Sequence, residues 1–209
     1  NAVIATSKYA MNRNYSLFID NCTVTNLTAN NFFNVLRVAA STFADTISII
    51  NSSFSKISGA VIALDRETDD IGLYNAETIR IDNSSFTDID GAALVLYRGG
   101  SDESTTAGLL TVNHSTFRNV GLGKNNPAKA AISLWGLQNA DIKNTTFEKS
   151  AGVRMVMTVG EPTATVHHCI FNQKEDFIIK GEGFSQHDIT HDAAGKTVLG
   201  DDKMAIGTK

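Results

Sequence analysis

At 209 residues, with 42% hydrophobic and 19% charged side chains, the chain is long enough for one domain with a sizeable core and has an ordinary globular composition. A net charge of −4 with scattered Lys and Arg argues against a nucleic-acid binder, and no apolar run reaches the ~18 residues of a membrane span. Only 2 Pro and 16 Gly argue against a disordered or linker-rich chain.

The chain opens at Asn1 rather than Met, without a signal peptide, and Ala2-Val3-Ile4-Ala5 already reads as strand. It reads as a mature or excised piece of a longer protein. From there a repeat governs the sequence. Anchored on an apolar, mostly aromatic position, it gives the column Val24, Phe54, Phe86, Phe117, Phe147 and Phe171, at spacings of 30, 32, 31, 30 and 24 residues. Three residues before the anchors stand Asn21, Asn51, Asn83, His114, Asn144 and His168. Five before stand Ile19, Ile49, Ile81, Val112, Ile142 and Val166, and seven before stand Leu17, Ile47, Ile79, Leu110, Ala140 and Ala164. The residues between those two apolar columns are mostly polar: Phe18, Ser48, Arg80, Thr111, Asp141 and Thr165. Such period-two alternation describes strands with one face in and one face out, and the segment 79–89 is its best copy.

A second set of strands follows each anchor after a short turn: 35–39, 60–65, 92–97, 131–135, 152–157 and 177–180. No stretch sustains a helical period. Repeats of ~30 residues with two or three strands each predict an all-β fold, a right-handed single-stranded parallel β-helix of about six to seven rungs. Equivalent residues then lie ~4.8 Å apart on neighbouring rungs, the Phe column as an internal stack and the Asn column as an amide ladder at a bend. Leucine-rich and propeller repeats fit neither the spacing nor the strand count.

The ladder decides two further readings. Cys22 and Cys169 both sit one residue after it, five rungs or about 24 Å apart against a ~7 Å limit for a bridge, so free thiols are expected. Glycosylation patterns at Asn21, Asn51, Asn83 and Asn144 coincide with the ladder, and stacking explains them better. Longer excursions at 66–78, 98–108, 121–129 and 158–163 interrupt the turns, and function usually resides in such loops. Residues 1–209 are read as one β-helix domain, with 181–209 as an irregular C-terminal cap over an otherwise open edge.

The densest chemical candidate is the run from Tyr97 through Arg98, Asp102 and Glu103, which leaves a strand end and turns through two glycines. An Arg holds a sugar carboxylate by two parallel hydrogen bonds, and Asp or Glu can bind calcium or sugar hydroxyls. Alternatively Arg98 pairs with Asp102 or Glu103 and only locks the loop. Tyr97 and Trp135 fall in one column on adjacent rungs if their strands align on Leu96 and Leu134, with Arg37 and Arg154 pointing outward one position earlier. An aromatic pair flanked by arginines grips an acidic polysaccharide by stacking and charge, though cross-strand packing alone would also produce the pair. His114 and His168 replace ladder Asn and read as stacked polar groups. His187 and His191 would form a metal-ligand pair only on a helix, for which the pattern gives no support. The outward column of the first strands offers Asp141 as its one carboxylate, so no hydrolase constellation is visible.

The segment 83–105, most specifically Leu96-Tyr97-Arg98-Gly99-Gly100-Ser101-Asp102-Glu103-Ser104-Thr105, resembles the C-terminal domain of polysaccharide lyase family six. That family includes two-domain alginate lyases and, more distantly, chondroitin lyase B. The resemblance implies a parallel β-helix and, for the whole enzyme, β-elimination from a uronate polymer, with a Lys base, a carboxylate-neutralising Arg or cation and a Ca2+ site in the N-terminal domain. Those residues find no counterpart here, so no catalytic residue, metal ligand or cofactor is placed in this segment. Substrate-binding candidates are Tyr97, Arg98, Asp102, Glu103, Trp135 and Arg154. Implied partners are an alginate-like acidic polysaccharide, the N-terminal β-helix domain and a homodimer mate, with no nucleic acid and no membrane. The implied location is the bacterial periplasm or medium. The rival readings are a self-contained acidic-polysaccharide lyase using Arg98, and a noncatalytic glycan-binding solenoid of adhesin or tail-fibre type.

Overall fold

In the computed structural model, the residues described are 1–6, 15–28, 32–39, 44–65, 77–97, 107–156, 163–172, 190–191, 197–198 and 204–206. All of their regular structure is strand. After β1 (Ala2–Ala5), strands come in threes. The first trio is β2 (Tyr15–Asp20), β3 (Thr23–Leu27) and β4 (Asn34–Val38), followed by β5 (Ala44–Ile50), β6 (Ser53–Ile57) and β7 (Ile62–Leu64). Next come β8 (Thr78–Asp82), β9 (Ser85–Ile89) and β10 (Leu94–Tyr97), then β11 (Ala107–Asn113), β12 (Thr116–Val120) and β13 (Ile132–Trp135). The last parallel strands are β14 (Leu137–Lys143), β15 (Thr146–Glu148), β16 (Val153–Val156), β17 (Thr163–His167) and β18 (Ile170–Asn172). Three short strands end the chain: β19 (Thr190–His191), β20 (Thr197–Val198) and β21 (Met204–Ile206).

Each strand pairs in parallel with its equivalent one coil on, which makes the fold the parallel β-helix that the repeat predicts. Sheet 1 is six strands deep in the order β1-β4-β7-β10-β13-β16. Sheet 2 runs β2-β5-β8-β11-β14-β17-β21 and sheet 3 runs β3-β6-β9-β12-β15-β18-β20-β19. In sheets 2 and 3 the final strands β21 and β20 pair antiparallel to β17 and β18. The second-set strands are shorter than the pattern suggested, Ile62–Leu64 for example within 60–65, with Val61 at a bend before the strand; the expected strand 177–180, and most of the expected cap 181–209, lie outside the described residues.

The anchor column closes in register: Val24 faces Phe54, Phe54 faces Phe86, Phe117 faces both Phe86 and Phe147, and Phe147 faces Phe171. Phe54, Phe86, Phe117 and Phe147 are fully buried, and their rings stack at 5.4, 4.7 and 4.8 Å with planes within 9° of parallel. Coil spacing imposes that geometry, and the separations fall within the range of favourable aromatic pairs. Ile47, Ile49, Ile79, Ile81, Leu110 and Val112 join the core from sheet 2, and Leu36, Ile62, Leu94, Leu96, Ile132 and Leu134 from sheet 1.

At the bend between sheets 2 and 3, all six ladder residues, His114 and His168 included, adopt left-handed backbone with φ between 45° and 53°. Asn tolerates this conformation better than most residues. The amides also bond between coils, Asn51 Nδ2 donating to Asp20 Oδ1 at 3.1 Å and Asn83 Nδ2 to Asn51 Oδ1 at 2.8 Å. Immediately after the ladder runs an inner column of hydroxyls at Ser52, Ser84, Ser115 and Thr145, all buried. Ser52 Oγ accepts the Cys22 N–H at 3.1 Å and donates to Ile50 O at 2.7 Å, and Ser84 Oγ repeats the pattern with the Ser52 N–H and Asp82 O. Each hydroxyl thus satisfies a backbone donor that the corner turns away from the sheets. Cys22 and Cys169 occupy this same column, Cys22 exposed and Cys169 buried, and both are free thiols as the rung count required.

A second left-handed corner follows two residues after the anchors, at Asn26, Lys56, Asp88, Asn119 and Lys149. Beyond it the coils pack so closely that a Cβ on Gly91 would lie 2.4 Å from Gly59 O. Among the described residues no helix is long and apolar enough to cross a membrane.

Two stability outcomes follow. Phe117→Ala, which empties a site stacked on both sides, should cost about 3–5 kcal/mol in urea unfolding. At Asn83, Ala should be more destabilising than Gly by about 1 kcal/mol, because only Gly keeps the positive φ without strain. Equal losses for Asn83→Gly and Asn83→Ala would mean that the left-handed corner carries no stability.

Candidate functional site

The outward face of sheet 1 carries the residues singled out from the sequence. Along β10 and β13 alternate residues point inward, so Leu94, Leu96, Ile132 and Leu134 are buried while Val95, Tyr97, Ser133 and Trp135 face out, half-buried. Leu96 pairs with Leu134 and Tyr97 with Trp135, which brings the two rings to 6.1 Å between centroids at a tilt of 43°. Tyr97 also packs against the core beneath. The pair forms an angled aromatic step at the end of two adjacent strands.

Arg154 lies on β16 opposite Ser133, and Arg37 lies on β4 opposite Ala63. Both therefore fall two positions before the aromatic column rather than one. An even offset keeps them on the same outward face, since strand side chains alternate with period two. The two arginines differ in their partners. Arg37 is committed to Asp65: Nε donates to both carboxylate oxygens at 3.0 Å, and Nη2 lies 2.9 Å from Oδ2. That hydrogen bond and charge raise the Arg37 pKa further above its ordinary value. Among the described residues Arg154 makes one long bond, from Nη1 to Ala128 O at 3.5 Å, its buried Nε has no hydrogen-bond partner, and no carboxylate pairs with it. The side chain as a whole is half-buried, so a guanidinium not committed to a carboxylate of its own protein stands on this face, the group that best matches a carboxylate's geometry.

Arg98, Asp102 and Glu103 lie outside the described residues, as does His187. His191 sits in β19, a strand, where a helical pair with His187 does not arise. Among the described residues no group of three or more His, Cys, Asp or Glu is placed to hold a metal. Lys143, the nearest Lys on the strand faces, is held by Asp141 at 3.1 Å.

A second feature was not anticipated. An open polar groove of about 310 Å3 runs along the ladder corner, lined by Asn51, Ser53, Asn83, Ser85, His114 and Thr116 among others. His114 Nδ1 approaches Asp82 Oδ1 at 3.9 Å beside it. The signal was present in the sequence as small hydroxyl residues two positions after three successive ladder residues, but only the corner geometry makes them one surface.

These features define a class: a single-chain parallel β-helix with an aromatic and cationic patch on one outward sheet. No protein-family model and no curated protein matches the chain. Solved structures do, among them two of a PL6 family alginate lyase. One, a PL6 family alginate lyase named AlyGC, is 37% identical with a TM-score of 0.80, the match covering 87% of this chain and 25% of that one. The other, an arginine-to-alanine mutant of AlyGC, is 35% identical with a TM-score of 0.81 and coverage of 96% and 27%. The chain is thus a PL6-like β-helix domain, and it spans about a quarter of the length of the solved chains it matches.

Arg154→Met, which removes a buried donor lacking a partner, should leave unfolding free energy within about 1 kcal/mol of the parent or raise it. A loss of about 3 kcal/mol or more would show that the guanidinium is holding the protein itself together.

Proposed function

We propose that this chain is the C-terminal β-helix domain of an alginate-type polysaccharide lyase, and that its sheet 1 face binds the acidic polymer while cleavage occurs elsewhere in the enzyme. The observation that carries the binding role is Arg154, which pairs with no carboxylate among the described residues and lies on the strand next to Trp135, two positions before it in register. Sugar rings present flat C–H faces that pack on tilted aromatic rings, and a uronate adds a planar carboxylate that matches the guanidinium fork. Neighbouring strands set these groups ~5 Å apart along the helix axis, so a chain of sugars can meet ring and cation together.

Likeness to a part of PL6 alginate lyases supports the substrate class. The noncatalytic assignment rests on what β-elimination needs: a base beside a cation or Arg that neutralises the uronate carboxylate. Lys143, paired with Asp141, lies on sheet 2, and Arg154 lies on sheet 1, so the two do not converge. An enzyme working on such a polymer acts where the polymer is, in the periplasm or the medium.

Incubated alone with alginate, the chain should release no unsaturated uronate ends, read as ultraviolet absorbance, yet migrate more slowly through an alginate-containing gel. Trp135→Ala and Arg154→Met should each weaken that retardation about tenfold, with parent binding falling as salt rises. Absorbance growth from the isolated chain would sink the accessory reading, and undiminished retardation of both variants would remove the sheet 1 site.

A further inference from the structure

The excursion at 121–129 is built by one coil alone. Eleven residues, 121–131, separate β12 from β13, whereas four, 90–93, separate β9 from β10 one coil before and four, 149–152, separate β15 from β16 one coil after. The loop is nonetheless bonded firmly to its surroundings. The Gly121 N–H donates to Ile89 O and the Gly123 N–H to Asp90 O, both at 2.9 Å. A Cβ on Gly123 would lie 2.6 Å from Asp90 O, so the loop rests directly on the coil before it. Buried Asn126 ties the two feet together: its Nδ2 donates to Gly121 O at 2.9 Å and to Ala130 O at 3.1 Å, and its Oδ1 accepts the Ala128 N–H at 3.1 Å. That amide is spent inside the loop, while Lys124 and Lys129 stand exposed.

Lys129 is the exception among the left-handed residues. Of the twelve non-glycine residues described with positive φ, eleven belong to the two corner columns, where stacked neighbours on adjacent coils impose the turn. Lys129, with φ of 49°, belongs to neither, and the adjacent coils have no equivalent loop to impose it. Glycine or asparagine holds that backbone at lower cost, and asparagine does so at six of the corner positions. A residue kept in a costly conformation outside the repeat directs attention to its side chain. Its setting shows which property of the side chain matters. Lys129 directly follows Ala128, whose carbonyl accepts Arg154 Nη1 at 3.5 Å, so the backbone that carries the lysine lies against the guanidinium. Among the described residues neither Lys129 nor Arg154 pairs with a carboxylate, whereas Arg37, Arg80, Arg118 and Lys143 each do. Neighbouring unpaired cations repel each other, and anions bound at both relieve that repulsion.

We propose that Lys129 is a specificity-determining residue of the sheet 1 face, a second cation that the loop holds beside Arg154 so that the two engage carboxylates on neighbouring sugars. The inference rests on the polysaccharide reading of that face and adds the residue that selects among acidic polymers. A polymer made only of uronates carries a carboxylate on every sugar and fills both positions at once. A polymer that alternates a uronate with a neutral amino sugar carries one carboxylate per pair and fills only one. Asn126 fixes the arrangement, because it holds the Ala128 N–H just before the carbonyl that Arg154 meets and the lysine that follows.

Gel retardation read beside thermal melting tests the assignment on the 209-residue chain. The parent should be held back more strongly by alginate than by unsulfated hyaluronan at equal carboxylate concentration. Lys129→Asn should keep or raise the melting temperature, since asparagine adopts left-handed backbone more readily, yet weaken alginate retardation about fivefold and narrow the difference between the polymers. Lys129→Arg keeps the charge and should stay within about twofold of the parent on alginate. A lysine that served only the fold would instead lose stability and binding together in Lys129→Asn, and that result would overturn the proposal. So would a parent that does not distinguish the two polymers. Undiminished alginate retardation of Lys129→Asn, alongside weakened Trp135→Ala and Arg154→Met, would overturn this inference and leave the sheet 1 site standing. If all three variants were retarded like the parent, the sheet 1 reading itself would fall and this inference with it.

Discussion

Everything in this molecule depends on one constraint: equivalent residues of successive coils must lie on top of one another at the β-sheet spacing of ~4.8 Å. No coil can bury its own interior, so each supplies the floor of the next. The constraint is met chiefly at the corners. A left-handed residue at the bend between sheets 2 and 3 turns the chain sharply, and the serine hydroxyl after it takes up the backbone donor of the coil before. The Phe stack is a consequence of that registration as much as a cause. Rings at 4.7–5.4 Å and nearly parallel can only come from corners that repeat without slippage.

The same rigidity limits where polar chemistry can stand. With the core filled by stacked Phe and Ile side chains, chemistry is left to outward columns and to the excursions between strands. On sheet 1 the pleat holds Tyr97 and Trp135 side by side, while the Arg37–Asp65 pair and Arg154 show how one outward column can hold a satisfied cation and an unsatisfied one. Neutralising Arg37 within its own protein leaves it a surface pair worth little to stability or binding. Arg154, half-buried, has no such carboxylate partner among the described residues.

Columns one residue wide were readable from the chain because they obey short periods. The anchors, the ladder, the free thiols and the facing of Tyr97 and Trp135 follow from alternation plus a repeat of about thirty residues. The second left-handed corner was not readable. Lys56 and Lys149 are poor left-handed formers on their own, and they hold that backbone because the coils above and below require it. The polar groove at Asn51, Asn83 and His114 was missed for a related reason: its lining residues are ordinary Ser and Thr until a corner gathers them.

By itself, then, the sequence determined the repeat, its strand faces and the resemblance to family-six lyases, since those depend on residue type at fixed spacing. Only the tertiary structure decided how the charges are partnered. Whether an arginine is spent on a neighbouring carboxylate or left with a donor depends on which residue from another coil lies within 3 Å, as Asp65 does for Arg37 and none does for Arg154 Nε. Burial was likewise decided in space: Ile49 is fully buried because β5 lies between β2 and β8, and burial is a property of neighbours rather than of sequence.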